Sequence, residues 1–162
     1  METKEFKAMF GKIAKSNGFK FLYGGWYKES DDCIVVLELQ RSNYSVLYYL
    51  NIKIYIRGVF GEAHAVNKYI IKNDMGHLHT RQPNEYSIVF DLEEKLDDDA
   101  RKTMLEELFG AYIVPLTNRA LHAEEIEYLV QEKRYPMLEY LFSPELKEEI
   151  NKKIQEKRKN IK

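Results

Sequence analysis

The first sixteen residues carry their apolar side chains at helical spacing. Phe6, Met9, Phe10, Ile13 and Ala14 fall at i, i+3, i+4, i+7 and i+8, one face of an amphipathic helix. Thr3 is a candidate N-cap, and Asn17-Gly18 supplies a stop, since glycine accepts the left-handed conformation that follows a helix. From Phe19 onward the period shortens to two. Phe19 to Leu22 begins an extended stretch, Gly24-Gly25 permits a bulge or sharp bend, and Trp26-Tyr27-Lys28 continues it. Ser30-Asp31-Asp32 marks a turn. Cys33 to Arg41 is a strand rich in Ile, Val and Leu, and Ser42-Asn43 connects it to a second long strand, Tyr44 to Arg57. In that second strand Val46, Tyr48, Leu50, Ile52, Ile54 and Ile56 share one face, while Tyr49, Asn51, Lys53, Tyr55 and Arg57 share the other.

The middle of the chain is less regular. Glu62 to Lys68 predicts a short helix, and Tyr69-Ile70-Ile71 fits either its end or a brief strand. Gly76 to Arg81 predicts a strand, Pro83-Asn84 a turn, and Tyr86 to Leu92 a partner strand in which Tyr86, Ile88 and Phe90 alternate with polar or opposite-facing residues. Helical spacing then returns. Leu96-Asp97-Asp98-Asp99 opens a helix with acids at its positive end, and Ala100, Met104, Leu105, Leu108 and Tyr112 form its stripe. Pro115 interrupts it. Leu116 to Glu132 predicts another helix, Pro136 to Leu141 a short one, and Ser143-Pro144-Glu145 the start of a last helix carrying Leu146, Ile150 and Ile154.

One helix, then strands joined by short connections, then helices: this order predicts an α+β fold. Its sheet is an antiparallel meander, with the N-terminal helix and a C-terminal helical segment packed on one face. Residues 1–142 are expected to form one α+β domain, with the basic helix 143–162 appended to it.

Composition changes this picture little. The chain has 162 residues, enough for a core that needs neither metal nor disulfide, and 12 tyrosines dominate its aromatics. A net charge of −1 gives no global field toward nucleic acid or membrane. Cys33 is the only cysteine, which excludes an internal disulfide and a cysteine-based zinc site. No leader-like segment and no membrane-length apolar run is present, so a soluble, cytoplasmic protein is expected, with no membrane partner and no cofactor.

Candidate chemistry is sparse. His77 and His79 stand two apart on a predicted strand, where side chains face the same side and two imidazoles can share a metal. A third ligand would come from Asp91, Asp74 or His64; without a spaced ligand frame, two histidines decorating a polar strand face is the simpler reading. The second candidate is the polar sheet face: Glu38 and Gln40 on one strand, and Tyr49, Asn51, Lys53, Tyr55 and Arg57 on the next. Such a face suits protein recognition, because tyrosine and arginine combine rigid area with hydrogen bonds. Tyrosines beside Lys53 and Arg57 also allow base stacking, but Glu38 and the acidic run oppose it and no RNA-binding motif is present. Residues 91–107 hold eight acids against three bases, and residues 147–162 seven bases against three acids; both read as solvated helix ends, with the acidic patch as a docking surface for a basic partner the alternative. No nucleophile elbow, phosphate-cradling loop or dinucleotide fingerprint occurs, and Cys33 opens an apolar strand as a packing residue would.

The stretch from Phe6 to Arg57 resembles the bacterial domain-of-unknown-function family numbered 4304. The resemblance is carried by the opening helix, Asn17-Gly18-Phe19, Trp26-Tyr27-Lys28, Leu39-Gln40-Arg41-Ser42 and the polar-centred Leu50-Asn51-Ile52. It implies a small intracellular bacterial α+β domain and transfers no activity. The function expected is therefore non-enzymatic protein binding, with toxin neutralisation as one form of it. The alternative is a small metal-dependent hydrolase using His77 and His79, and a third reading is a single-stranded RNA binder.

Overall fold

The computed structural model describes residues 1–161. Helix α1 (Thr3–Ser16) packs Phe6, Phe10, Ile13 and Ala14 inward. Its cap is Glu2 rather than Thr3, with the Glu2 amide donating to Glu5 Oε2 at 3.2 Å. Gly18, at φ +88°, turns the chain into strand β1 (Lys20–Leu22) as the stop signal predicts. Tyr23 and Gly24 both adopt positive φ (51° and 82°) and make a two-residue hairpin turn to β2 (Gly25–Glu29). Of the two readings of Gly24-Gly25, the sharp bend is the one observed, with Gly24 in the turn and Gly25 opening β2. Strand β3 (Cys33–Arg41) and strand β4 (Tyr48–Ile56) follow, and β5 (Leu78–Arg81) completes a five-stranded antiparallel sheet in the order β1-β2-β3-β4-β5. Strand β4 starts later than expected: Ser42 to Leu47 is a loop that leaves Tyr44 almost fully exposed.

The sheet's first face bears Val35, Leu37, Leu50, Ile52 and Ile54, all without accessible surface. Against it pack α1 and a long helical run, α4 (Asp98–Leu108), a π-helical turn (Phe109–Ile113) and α5 (Val114–Ala120). Pro115 does not interrupt this run. Its missing N–H frees the carbonyl of Ala111, and the π turn absorbs the mismatch. The Arg134 guanidinium donates to that Ala111 carbonyl. The expected helix from Leu116 to Glu132 is broken instead at Leu121-His122; a 3₁₀ turn (Ala123–Glu125) then leads into α6 (Ile126–Gln131). Helices α7 (Pro136–Leu141) and α8 (Pro144–Ile161) close the core with Leu138, Leu146 and Ile150, and Ser143 Oγ accepts from the Leu146 amide at 3.0 Å.

Two middle segments depart from expectation. Glu62 to Asn67 carries no regular secondary structure, and the helix starts only at α2 (Lys68–Lys72), where Asn67 Oδ1 caps the Ile70 amide at 3.0 Å. Tyr86 to Leu92 is no strand: a 3₁₀ turn (Asn84–Tyr86) runs into α3 (Ser87–Phe90), which buries Val89 and Phe90 together and exposes Ile88. The cause lies downstream. Arg101, fully buried on α4, donates to the carbonyls of Ile88 (3.4 Å), Val89, Asp91 (3.2 Å) and Glu94 (3.3 Å). Those carbonyls therefore need no strand partner. The outer side of β5 is met by α7 and by the Tyr112 hydroxyl, which donates to the Arg81 carbonyl at 3.1 Å.

Candidate functional site

The second sheet face is where the sequence places recognition, and the register brings most of its residues together. Glu38 pairs with Asn51 and Gln40 with Tyr49 across β3 and β4; Asn51 pairs with Arg81 and Lys53 with His79 across β4 and β5. Since side chains alternate, these residues and Tyr55 form one continuous patch.

The patch divides into two halves. At one end α2 lies on the sheet, seating Ile70 and Ile71 on Ile34, Val36 and Tyr55. Gly25 permits this approach, because a Cβ there would lie 2.7 Å from Ile71 Cγ2. The polar side chains beneath α2 are spent on holding it. Lys53, fully buried, donates to the Ile71 carbonyl at 2.9 Å and the Ile70 carbonyl at 3.4 Å, and pairs with Glu38 Oε1 at 3.2 Å. The Tyr55 hydroxyl donates to the Ile70 carbonyl at 3.1 Å. A cation at the carbonyl end of a helix satisfies orphan acceptors and complements the dipole. Burial pulls the Lys53 ammonium below its ordinary pKa although Glu38 opposes that shift, and burial next to Asp74 raises the Tyr55 phenol. Arg57 is paired with Glu29, beyond the end of β4. Lys53, Tyr55 and Arg57 are thereby withdrawn from the expected recognition set.

The other half is uncovered. Asn51 has no accessible surface, and its amide is held on three sides: Nδ2 donates to Glu38 Oε1 at 3.1 Å and Gln40 Oε1 at 2.9 Å, while Oδ1 accepts from Arg81 Nε at 3.2 Å. The Arg81 guanidinium stacks over the Tyr49 ring, 4.5 Å from its centroid. Glu38, Gln40, Tyr49 and Arg81 all reach water around this fixed amide. Arg81 was absent from the set read from sequence; its signal was the i, i+2 spacing from His79 on the same strand face.

His77 and His79 stand in different settings. His77 precedes β5, and its Nδ1 accepts the Ile56 amide at 2.9 Å, which leaves only Nε2 free. The ring packs edge-on against His64 (5.0 Å between centroids) and near Tyr55 (6.1 Å). Burial, with His64 adding to it, lowers the His77 pKa to about 4. His79 lies beside Lys53 in the register, and burial and then Arg81 lower its pKa too. Among the described residues no group of three or more His, Cys, Asp or Glu is placed to hold a metal ion. Asp91 sits at an isolated bridge with Leu47, not on a partner strand of His79.

The basic C-terminal segment is partly tied into the fold. On α8, Lys157 bridges Asp32 and Glu124, each at 2.6 Å, and Lys153 donates to the Arg57 carbonyl at 2.6 Å. Asp32 also accepts the Ala123 amide at 3.0 Å. Burial alone would raise the Asp32 carboxyl; the Ala123 and Lys157 hydrogen bonds, with the charges of Lys157 and Lys153, hold it below the usual range. Cys33 is fully buried beside it, and burial followed by the Asp32 charge pushes its thiol up to about 12, which leaves it unreactive.

No helix among the described residues is long and apolar enough to cross a membrane. No curated protein and no solved structure matches the chain. The model of one family, Domain of unknown function (DUF4304), matches residues 10–119, from the middle of α1 to the end of α5, and so extends the resemblance read over Phe6 to Arg57 across the whole sheet. With two thirds of its length under that match, the chain belongs to the DUF4304 family.

Proposed function

We propose that this chain is a non-enzymatic binding module of the bacterial cytoplasm that recognises another protein through the uncovered half of its second sheet face. The observation that carries the reading is the clamped Asn51 amide, around which Glu38, Gln40, Tyr49 and Arg81 are held in place while still reaching water. Ordering such side chains before binding lowers the entropy lost on association. Tyrosine and arginine are the residue types on which binding energy concentrates. A toxin neutralised by capture is one partner class compatible with this reading, by analogy to other small binding domains and not by deduction from the site.

The test is affinity capture with tagged wild type and with the Tyr49→Ala/Arg81→Ala variant, followed by calorimetry on the purified complex. Wild type is expected to retain one stoichiometric protein, and the folded variant to lose it. Equal retention by the variant moves recognition to another surface. If wild type retains no stoichiometric partner, the reading fails.

A further inference from the structure

The other side of the sheet carries a feature that neither the motif reading nor the polar face accounts for. Trp26 is the only tryptophan in the chain. Its indole lies against the middle of α1, where a Cβ on Gly11 would come within 3.3 Å of both Cζ2 and Nε1. Glycine inside a helix costs roughly 1 kcal/mol relative to alanine. Position 11 therefore follows the needs of the ring and not of the helix. Next to the indole the β1–β2 hairpin turns Phe21 outward, 66% exposed, with its ring centroid 5.4 Å from that of Trp26.

These rings and Phe19 floor an open groove of about 560 Å³ between α1 and β1. Lysines line both walls: Lys15 on the α1 side and Lys20 on the β1 side, with Lys7 also on α1 but its ammonium 5.6 Å over the Tyr48 ring. No carboxylate is among the described residues that line it. The volume falls within the range of small-molecule sites.

We propose that this groove binds a single-chain aliphatic carboxylate, its chain on the aromatic floor and its head group at the lysine rim. The charge fixes the sign of the ligand. The floor fixes its body, because the rings of Phe21 and Trp26 are inclined by 56°. They offer no single plane on which a flat ring could stack, whereas a flexible chain follows them. An added peptide strand is disfavoured by the brevity of β1, three residues, which leaves few main-chain groups to pair. A second copy docked by the same face would set one lysine rim against another.

The lone tryptophan makes the test direct. Sodium carboxylates from hexanoate to tetradecanoate are titrated into the full chain below their micellar concentrations, with Trp26 fluorescence as the readout. Saturable one-to-one binding is expected, tightening by up to roughly fourfold per added methylene until the groove is full. Decanol and decylammonium should bind more weakly than decanoate, and salt should narrow that gap. Lys15→Gln with Lys20→Gln should keep the chain-length dependence and lose the preference for carboxylate over alcohol. Gly11→Leu should fill the groove and abolish binding; the lysine pair decides the matter if that variant does not fold. The proposal is overturned if no saturable change occurs through tetradecanoate, or if decylammonium binds as well as decanoate. It is also overturned if the protein associates only with anionic phosphatidylglycerol vesicles.

Discussion

The two faces of the sheet are built from the same strands and held by different forces. On the first face, Phe6, Phe10, Tyr48 and Phe90 pack with ring centroids 5.7–6.4 Å apart, and no polar side chain is needed to fix their order. On the second face a small apolar cluster is supplemented by charges and hydrogen bonds: Lys53 and Tyr55 hold α2, and Arg81, Glu38 and Gln40 hold Asn51. The first arrangement is stabilised roughly in proportion to buried area; the second depends on every polar group finding its partner. Stability therefore concentrates on one face, and specific orientation, which recognition requires, on the other.

The largest effect is expected where burial alone acts. Phe10→Ala removes a ring without accessible surface that touches Trp26, Phe90 and Phe109, and should cost about 3–5 kcal/mol in urea denaturation. A loss under about 1 kcal/mol would contradict the division between the faces. Arg101→Met tests the polar exception on the core side. It strips the carbonyls of Val89, Asp91 and Glu94 of their donor and should cost about 2–4 kcal/mol, with early loss of amide protection across residues 86–92.

On the second face the expected response is local. Lys53→Met removes the donor to the Ile71 carbonyl at the end of α2 and leaves Glu38 with only the Asn51 amide as a partner; about 1–3 kcal/mol is expected. Amide exchange in α2 should accelerate well before the sheet opens. Uniform acceleration across β3 and β4 would mean that α2 is integral to the core.

The most gradual effect is a pH dependence, spread over the range from 6.5 to about 4. His77 titrates near 4 when folded and near its ordinary value of 6.5 when unfolded. Its folded pKa is depressed, so between these values the unfolded chain binds the extra proton. This contribution is complete above pH 6.5 and is lost as pH falls toward 4, by at most about 1.4 kcal/mol per pH unit. Subtracting the His77→Gln profile from that of wild type isolates it. No difference in slope between pH 6.5 and 4 would show that the imidazole is not held neutral.

Much of the architecture was legible in the sequence because local signals were strong and undivided. Strand β3 appears with its expected bounds, and the alternation along β4 assigned each residue to the correct face. The stop at Gly18 and the start at Ser143-Pro144 held because a backbone conformation and a cap are properties of one or two residues. The polar face was legible as a set of residues, but not as a surface. Three of its seven members, Lys53, Tyr55 and Arg57, are engaged by α2 or Glu29, while Arg81 joins from a strand whose register no local pattern specifies.

What the sequence determined by itself was the set of faces on α1 and β4, where spacing alone says which residues turn inward, and the antiparallel meander, which follows from the short connections between successive strands. What only the tertiary structure decided was the fate of groups whose partners are remote. Tyr86 to Leu92 carries a strand's alternation and folds as helical turns because Arg101 takes its carbonyls. Pro115 carries a helix break and is absorbed because a π turn accommodates it and Arg134 takes the Ala111 carbonyl. Lys53 reads as a surface cation and is buried because α2 brings it two carbonyls. In each case a backbone polar group must be satisfied, and the residue that satisfies it lies well along the chain, beyond the reach of any local period.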